Sequence, residues 1–221
     1  MGRGIFITFE GGEGSGKSTQ IKKLSEFLHL LGVEHILTLE PGGTEMGKLL
    51  RSYVLGGNWG EKGLSPLAEM FIFYADRAQH VRDVIKPALE AGKLVISDRF
   101  ADATLAYQGY GRGVDLATIA RLNELATGGL EPDMTILLDI PAEIGIARIA
   151  IRNGDKGDMG VGEAITDRLE AEAIDFHRRV RSGYLEIANT AAQRFVVIDG
   201  VLEVQGIAEQ IQKAVLNCLG R

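Results

Sequence analysis

The chain has 221 residues, of which 45% are apolar and 24% charged, and basic minus acidic residues gives 24 − 30 = −6. This is the make-up of a globular chain with a substantial core, and it excludes disorder, collagen and coiled coil as whole-chain readings. The acidic balance argues against a nucleic-acid partner, so an anionic ligand must meet a local cluster of positive groups. The single cysteine, Cys218, excludes an intrachain disulfide and a cysteine-based zinc site, and reads as core. The four histidines (His29, His35, His80, His177) show no metal-ligand spacing. No apolar run approaches the ~18 residues of a membrane helix, and Ile5–Phe9 is too short for a signal peptide. No membrane partner and a cytoplasmic location are therefore expected.

In chain order, Ile5 to Phe9 reads as a short strand. Lys17 to Leu31 reads as a helix, with Ile21, Leu24, Leu28 and Leu31 at helical spacing and Gly32 as its stop. Glu34 to Leu39 is a second strand and Met46 to Leu55 a helix, followed by a Gly-rich link. Ser65-Pro66 is a helix start, serine as cap and proline in the first turn. That helix is predicted to run to Ala91, with Pro87 kinking or shortening it. Leu94 to Ser97 is a third strand, Asp115 to Thr127 a helix, Met134 to Leu138 a fourth strand. Pro141 opens a helix through Ile151. Residues 163 to 192 are predicted as one long helical stretch, Phe195 to Ile198 as a fifth strand and Leu202 to Leu219 as a last helix.

Strands that are short apolar runs alternating with helices predict the α/β class, a parallel sheet covered on both faces. No repeat or linker divides the chain, so 1–221 reads as a single domain. Asn153 to Glu163 holds four glycines, two aspartates and one lysine. Its place between two helices suggests a lid of about 153–163.

Gly11-Gly12-Glu13-Gly14-Ser15-Gly16-Lys17-Ser18 fits G-x-x-x-x-G-K-[ST], with Thr19 next in the helix. It follows a strand and opens a helix, the context the motif requires. Glycines let the backbone wrap a phosphate, and successive N–H groups and the helix N-terminus face the anion. Lys17 is placed for the β- and γ-phosphates, and Ser18 for Mg²⁺. The loop points to a nucleoside triphosphate and leaves open what receives the phosphoryl group.

Four further segments narrow it. Glu40-Pro41-Gly42-Gly43-Thr44, Asp98-Arg99-Phe100, Tyr107-Gln108-Gly109 and Asp167-Arg168-Leu169-Glu170 are spaced as in bacterial thymidylate kinase. From Ile5 to about Asp199 the chain resembles that family. The resemblance implies a three-layer P-loop kinase fold with a five-stranded parallel sheet, and a homodimer. It also implies transfer from MgATP to thymidine monophosphate (dTMP), giving the diphosphate. The family commonly has arginine before the E-P-G-G-T glutamate, and here that position is Leu39. Arg51 and Arg99 are then the arginines left for the acceptor phosphate.

Phe73 and Arg77 share a helix face at i, i+4. On spacing alone they read as a core phenylalanine and a surface arginine; the resemblance implies that Phe73 stacks on thymine and Arg77 addresses its carbonyl edge. Asp98 and Arg99 end an apolar strand, where open α/β sheets bind ligands. Asp98 is expected to act on Mg²⁺ and Arg99 to grip the acceptor phosphate. Thr104, Tyr107 and Gln108 fall at i, i+3 and i+4 and are expected to line the thymidine pocket. The Tyr107 ring is expected against C2′. Glu13, an acid within a phosphate loop, is implied to reach the acceptor sugar hydroxyl, and Glu170 to lie at the dTMP site. Some family members carry arginine directly after the loop acid, where this chain has Gly14. Arg148 and Arg152, one helical turn apart before the lid, are the candidates for the missing cation, with Lys156 and Arg168 near them. Two other readings remain: a kinase for another nucleotide, and a P-loop switch. The absence of N-K-x-D argues against a GTP switch.

Overall fold

The computed structural model describes residues 3–57, 59, 63–156 and 169–220, with the backbone alone for 153–156. Among the described residues five strands form, β1 (Phe6–Glu10), β2 (His35–Leu39), β3 (Leu94–Asp98), β4 (Met134–Asp139) and β5 (Phe195–Asp199). They lie in the order β2-β3-β1-β4-β5, and each neighbouring pair is parallel.

β1 is central, and all five of its residues are buried. Its side chains alternate between faces, as the pleat demands. Ile7 and Phe9 pack with α1 (Lys17–Leu30) and α9 (Val204–Cys218), against Leu24, Leu28, Ile207 and Ile211. Phe6 points the other way, edge-on to Phe100 with ring centroids 4.9 Å apart. Leu137 joins Val180 and Tyr184 of α8 (Ile174–Thr190) on that second face. Each such buried side chain contributes about 1.5–3 kcal/mol. Cys218 is partly buried at the end of α9, against the first of these clusters.

The register fixes where the strands stop together. Phe9 and Leu39 stand beside Asp98, and Glu10 stands beside Leu137. These C-terminal ends share one edge of the sheet, and the loops that leave them build the site.

The remaining helices are α2 (Glu45–Gly56), α3 (Pro66–His80), α4 (Lys86–Glu90), α5 (Ala101–Thr104), α6 (Leu116–Thr127) and α7 (Ala142–Lys156). Two expectations change. The helix from Pro66 toward Ala91 is interrupted by a wide turn at Val81–Ile85, where Lys86 N–H reaches back to Val81 O. Pro87 has no N–H and its ring would crowd a carbonyl four residues back, so the helix widens before it. The stretch 163–192 is not one helix in its described part. Leu169 to Ala173 are turns, and α8 begins only after Ala173, whose ψ of 150 is extended. A second wide helical segment, Leu105–Gly111, continues α5. Among the described residues no helix is long and apolar enough to cross a membrane.

Candidate active site

A cavity of about 650 Å³ opens over the strand ends. The phosphate loop forms one wall. Gly16 is the N-cap of α1 at φ 95, a left-handed conformation, and among the described residues no side chain caps this helix start. The first N–H groups of α1 thus keep their capacity for an anion. Lys17 folds over the loop, donating to Gly11 O at 3.1 Å, Gly12 O at 3.1 Å and Ser15 Oγ at 3.3 Å. Burial pushes its pKa down, and the nearby Arg99 charge adds to this. Gly11 and Gly12 meet Lys17 through their carbonyls, while Glu13 to Thr19 line the cavity itself.

Ser18 Oγ donates to Asp98 Oδ2 at 3.3 Å across the loop and β3. A hydroxyl and one carboxylate at the cavity wall are hard oxygen donors. They fit Mg²⁺, which takes few protein ligands and completes its shell with phosphate and water.

Arg99 stands at φ 71, left-handed for a non-glycine residue. Its Nη2 donates to Glu13 Oε1 at 2.6 Å and to Tyr107 Oη at 3.0 Å. Nη1 donates to Tyr184 Oη at 3.1 Å and Gly11 O at 3.2 Å. Tyr107 Oη in turn donates to Glu13 Oε1 at 2.6 Å. Burial alone would raise the Glu13 pKa, but the charges of Arg99 and Lys17 overrule it and hold the carboxyl at about 2. A carboxylate beside a phosphate loop is thereby kept ionised without free negative charge.

Phe73 and Arg77 of α3 both line the cavity. Phe73 is half-buried, and Arg77 is buried rather than a surface arginine. Arg77 donates from Nε to Glu40 Oε2 at 2.8 Å, from Nη1 to Asn123 Oδ1 at 2.9 Å and from Nη2 to Phe100 O at 3.0 Å. Of its five N–H groups these use three. Gln108 is also buried, and its Nε2 donates to Glu69. Its Oε1 is buried and has no hydrogen-bond partner among the described residues. Thr104 and Tyr107 line the same wall. Arg51 is held by Pro41 O at 2.9 Å, and both line the cavity with Leu39.

α7 closes the remaining side. Gly14 has φ +68, and a Cβ there would overlap the Gly145 carbonyl. A Cβ on Gly145 would overlap the Glu13 carbonyl in return. The loop position where some relatives carry arginine is thus filled by the approach of α7. The same approach delivers Arg148, which donates to Gly200 O at 3.1 Å and to Gly14 O at 3.4 Å. Arg152, one turn on, pairs with Glu170 at 2.6 Å, and both line the cavity. Asn153 to Lys156 continue α7; the rest of the expected lid, the Lys156 side chain and Arg168 lie outside the described residues.

Three positions at or behind the cavity wall escaped sequence reasoning. Asp76 lines the cavity beside Arg77; its Oδ1 accepts from Gly42 N–H, and its Oδ2 is buried with no partner among the described residues. Burial, with Glu40 nearby, raises its pKa to about 6. The available signal was an acid between Phe73 and Arg77 on an otherwise apolar turn. Glu10 is fully buried, and burial together with Asp102 raises its pKa to about 7. An acid closing an apolar central strand could have flagged it. Tyr184 gave no signal beyond a helical aromatic.

A phosphate loop at the head of a five-stranded parallel sheet faces a second, aromatic and arginine-bearing pocket across one cavity. That arrangement defines a P-loop kinase that phosphorylates a nucleotide-sized acceptor. The family model described as thymidylate kinase matches residues 9–211. The chain is 49% identical to the thymidylate kinase of Desulfovibrio desulfuricans, covering 98% of this chain and 97% of that one. It is also 49% identical to the thymidylate kinase of Geotalea uraniireducens (96% and 97% covered) and 50% identical to that of a Synechococcus strain (88% and 85% covered). The chain belongs to the thymidylate kinase family. Its reaction is the phosphorylation of dTMP to dTDP, with ATP as the donor.

Proposed function

We propose that this transfer takes place within the cavity, with ATP phosphates on the Lys17 side and dTMP on the Phe73 side. The observation that carries it is the Glu13–Arg99 pair, which ties the phosphate loop to the end of β3 and to Tyr107 on the opposite wall of the cavity. Lys17 and the loop amides bind the donor phosphates, and Ser18 and Asp98 hold Mg²⁺. When bound, the ion neutralises charge on the donor phosphates. Arg99, aided by Arg51, grips the acceptor phosphate. That phosphate is already an anionic nucleophile, so no general base is required. Phe73 stacks on thymine. Arg77 meets a carbonyl of the base, and Gln108 stands on the same wall of the cavity. Thr104 and the Tyr107 ring border the sugar, with Glu13 and Glu170 at the dTMP site. Arg148 and Arg152 supply positive charge near the migrating group.

The working enzyme is a cytoplasmic homodimer in this reading. Leu67 and Phe71, one turn apart on α3 and each about half exposed, support a second copy as partner. Sedimentation at micromolar concentration tests that point.

The reaction is tested by ADP formation on addition of each nucleoside monophosphate to enzyme and MgATP. Only thymidylate, and close analogues of it, should drive turnover. Lys17→Ala should abolish transfer in a folded protein, and Phe73→Ala should raise the dTMP KM far more than the ATP KM. Base–aromatic stacking is worth about 1–3 kcal/mol per base. Equal turnover with purine monophosphates would overturn the assignment of the base pocket.

A further inference from the structure

Behind the cavity wall lies a group of polar side chains that touch neither pocket. Glu10 is completely buried at the end of β1, and Tyr184 of α8 is 1% exposed. A buried carboxylate in the central strand is costly unless its oxygens are occupied. Both are. Glu10 Oε1 accepts from Phe100 N–H at 2.8 Å, and Oε2 accepts from Tyr184 Oη at 2.7 Å. Tyr184 Oη then accepts from Arg99 Nη1 at 3.1 Å.

The two arms converge on one residue. The first fixes the backbone directly after Arg99, which holds φ 71; Arg99 N–H is itself tied to Phe9 O at 3.0 Å. The second fixes the guanidinium. A left-handed non-glycine residue costs free energy and persists only where its surroundings over-determine it. Here one carboxylate from the neighbouring strand supports both the strained turn and the head group. The Tyr184 hydroxyl transmits that support, because its proton is committed to Glu10 and its lone pair faces Arg99.

We infer that Glu10 and Tyr184 are positioning residues that brace Arg99 for the acceptor phosphate, a claim that rests on the reading of Arg99 given above. Neither residue lines the cavity. They act by keeping the arginine fork aimed into the cavity before substrate arrives, so that its ordering is not charged to acceptor binding. Glu13 and Tyr107 hold the other nitrogen of the fork from the cavity side. The acceptor can displace those contacts while the Glu10–Tyr184 arm stays in place.

The test compares Tyr184→Phe, Glu10→Gln, Arg99→Lys and the double variant Tyr184→Phe/Arg99→Lys in the full chain. Each is measured for dTMP KM, ATP KM, kcat and Tm. Tyr184→Phe removes one hydroxyl and keeps the ring. It should raise the dTMP KM about tenfold, the scale of one hydrogen bond to a charged group, and leave the ATP KM unchanged. Glu10→Gln turns the Tyr184 hydroxyl from donor to acceptor at that contact and should move the same constant in the same direction. In the Arg99→Lys background, Tyr184→Phe should add less than a twofold change, because the braced fork is gone. If Arg99→Lys shifts the dTMP KM and Tyr184→Phe does not, the brace is refuted and the acceptor reading stands. If Arg99→Lys leaves the dTMP KM unmoved, the acceptor reading has failed and the brace fails with it. Equal loss of affinity for both substrates, with a lowered Tm, would mark Tyr184 as a core residue only and would also overturn the inference.

Discussion

Gly14 and Gly145 press backbone to backbone, and neither position has room for a Cβ. The contact seats α7 on the phosphate loop and carries Arg148 to the loop carbonyl at Gly14. Gly145→Ala should therefore shift α7 away from Glu13. Overpacking of this kind costs about 1–3 kcal/mol. The expected outcome is a lower Tm together with a kcat that falls more than the ATP KM rises, because the arginines of α7 retreat with their helix. A Gly145→Ala enzyme with normal Tm and normal kcat would show that the contact gives way freely.

The sequence places the Tyr107 ring against C2′ through the family resemblance. Its hydroxyl also donates to Glu13 and accepts from Arg99, so Tyr107→Phe is not a silent change. We expect Tyr107→Phe to keep the preference for deoxyribose while raising the dTMP KM by up to about tenfold, through loss of these charged hydrogen bonds. Tyr107→Ala should in addition relax sugar selection. Competition between thymidylate and its ribose counterpart separates the two effects; unchanged exclusion of the ribose form by the alanine variant would place the barrier elsewhere.

Asp76 gives a pH dependence with a defined sign. Its carboxyl titrates at about 6 in the folded chain, against an ordinary value of 3.8. Between those values the folded state holds a proton that the unfolded state has released. Stability attributable to Asp76 therefore falls as pH rises through that window. Glu13 works in the opposite sense: held at about 2 instead of 4.5, it lends stability above 4.5 that is lost as pH falls toward 2. Asp76→Asn should flatten the fall in Tm between about pH 4 and 6 while leaving the acid limb below pH 4 in place. An unchanged slope between pH 4 and 6 would assign it to other groups.

What the sequence made legible was whatever depends on local order. Strand positions followed from short apolar runs, and the phosphate loop from its spacing. Phe73 and Arg77 followed from helical periodicity together with the family resemblance. What stayed hidden depends on distant pairs. Gly14 read as a missing arginine, and only its contact with Gly145, far along the chain, shows why no side chain stands there. Gln108 reads from sequence as an amide with two faces. Glu69, on another helix, decides which way the amide points. Tyr184 is an unremarked helical aromatic until the fold sets its hydroxyl between Glu10 and Arg99. The wide turn before Pro87 was half legible, since a proline announces the break but not how the backbone absorbs it.

The last prediction concerns the cation that serves the migrating phosphoryl group. Arg148 spends its donors on the carbonyls of Gly200 and Gly14, contacts that anchor α7. Arg152 is about half exposed, and its partner at 2.6 Å is Glu170. Arg152 is the exposed member of the pair and Glu170 the largely buried one, so the arginine can turn to a nucleotide phosphate once that phosphate replaces the carboxylate as its partner. Arg152 is therefore the arginine free to change partners during the reaction. Arg152→Ala should lower kcat by about 10³-fold, the scale of an arginine acting at a phosphoryl-transfer transition state, with little change in dTMP affinity. Glu170→Gln should act mainly on the dTMP KM. Arg148→Ala should lower Tm first and kcat second. Steady-state kinetics and thermal melts on the three variants decide among these roles. If Arg148→Ala and Arg152→Ala both keep wild-type turnover, the cation comes from Arg168 or from the acceptor-site arginines, and α7 serves only to close the cavity.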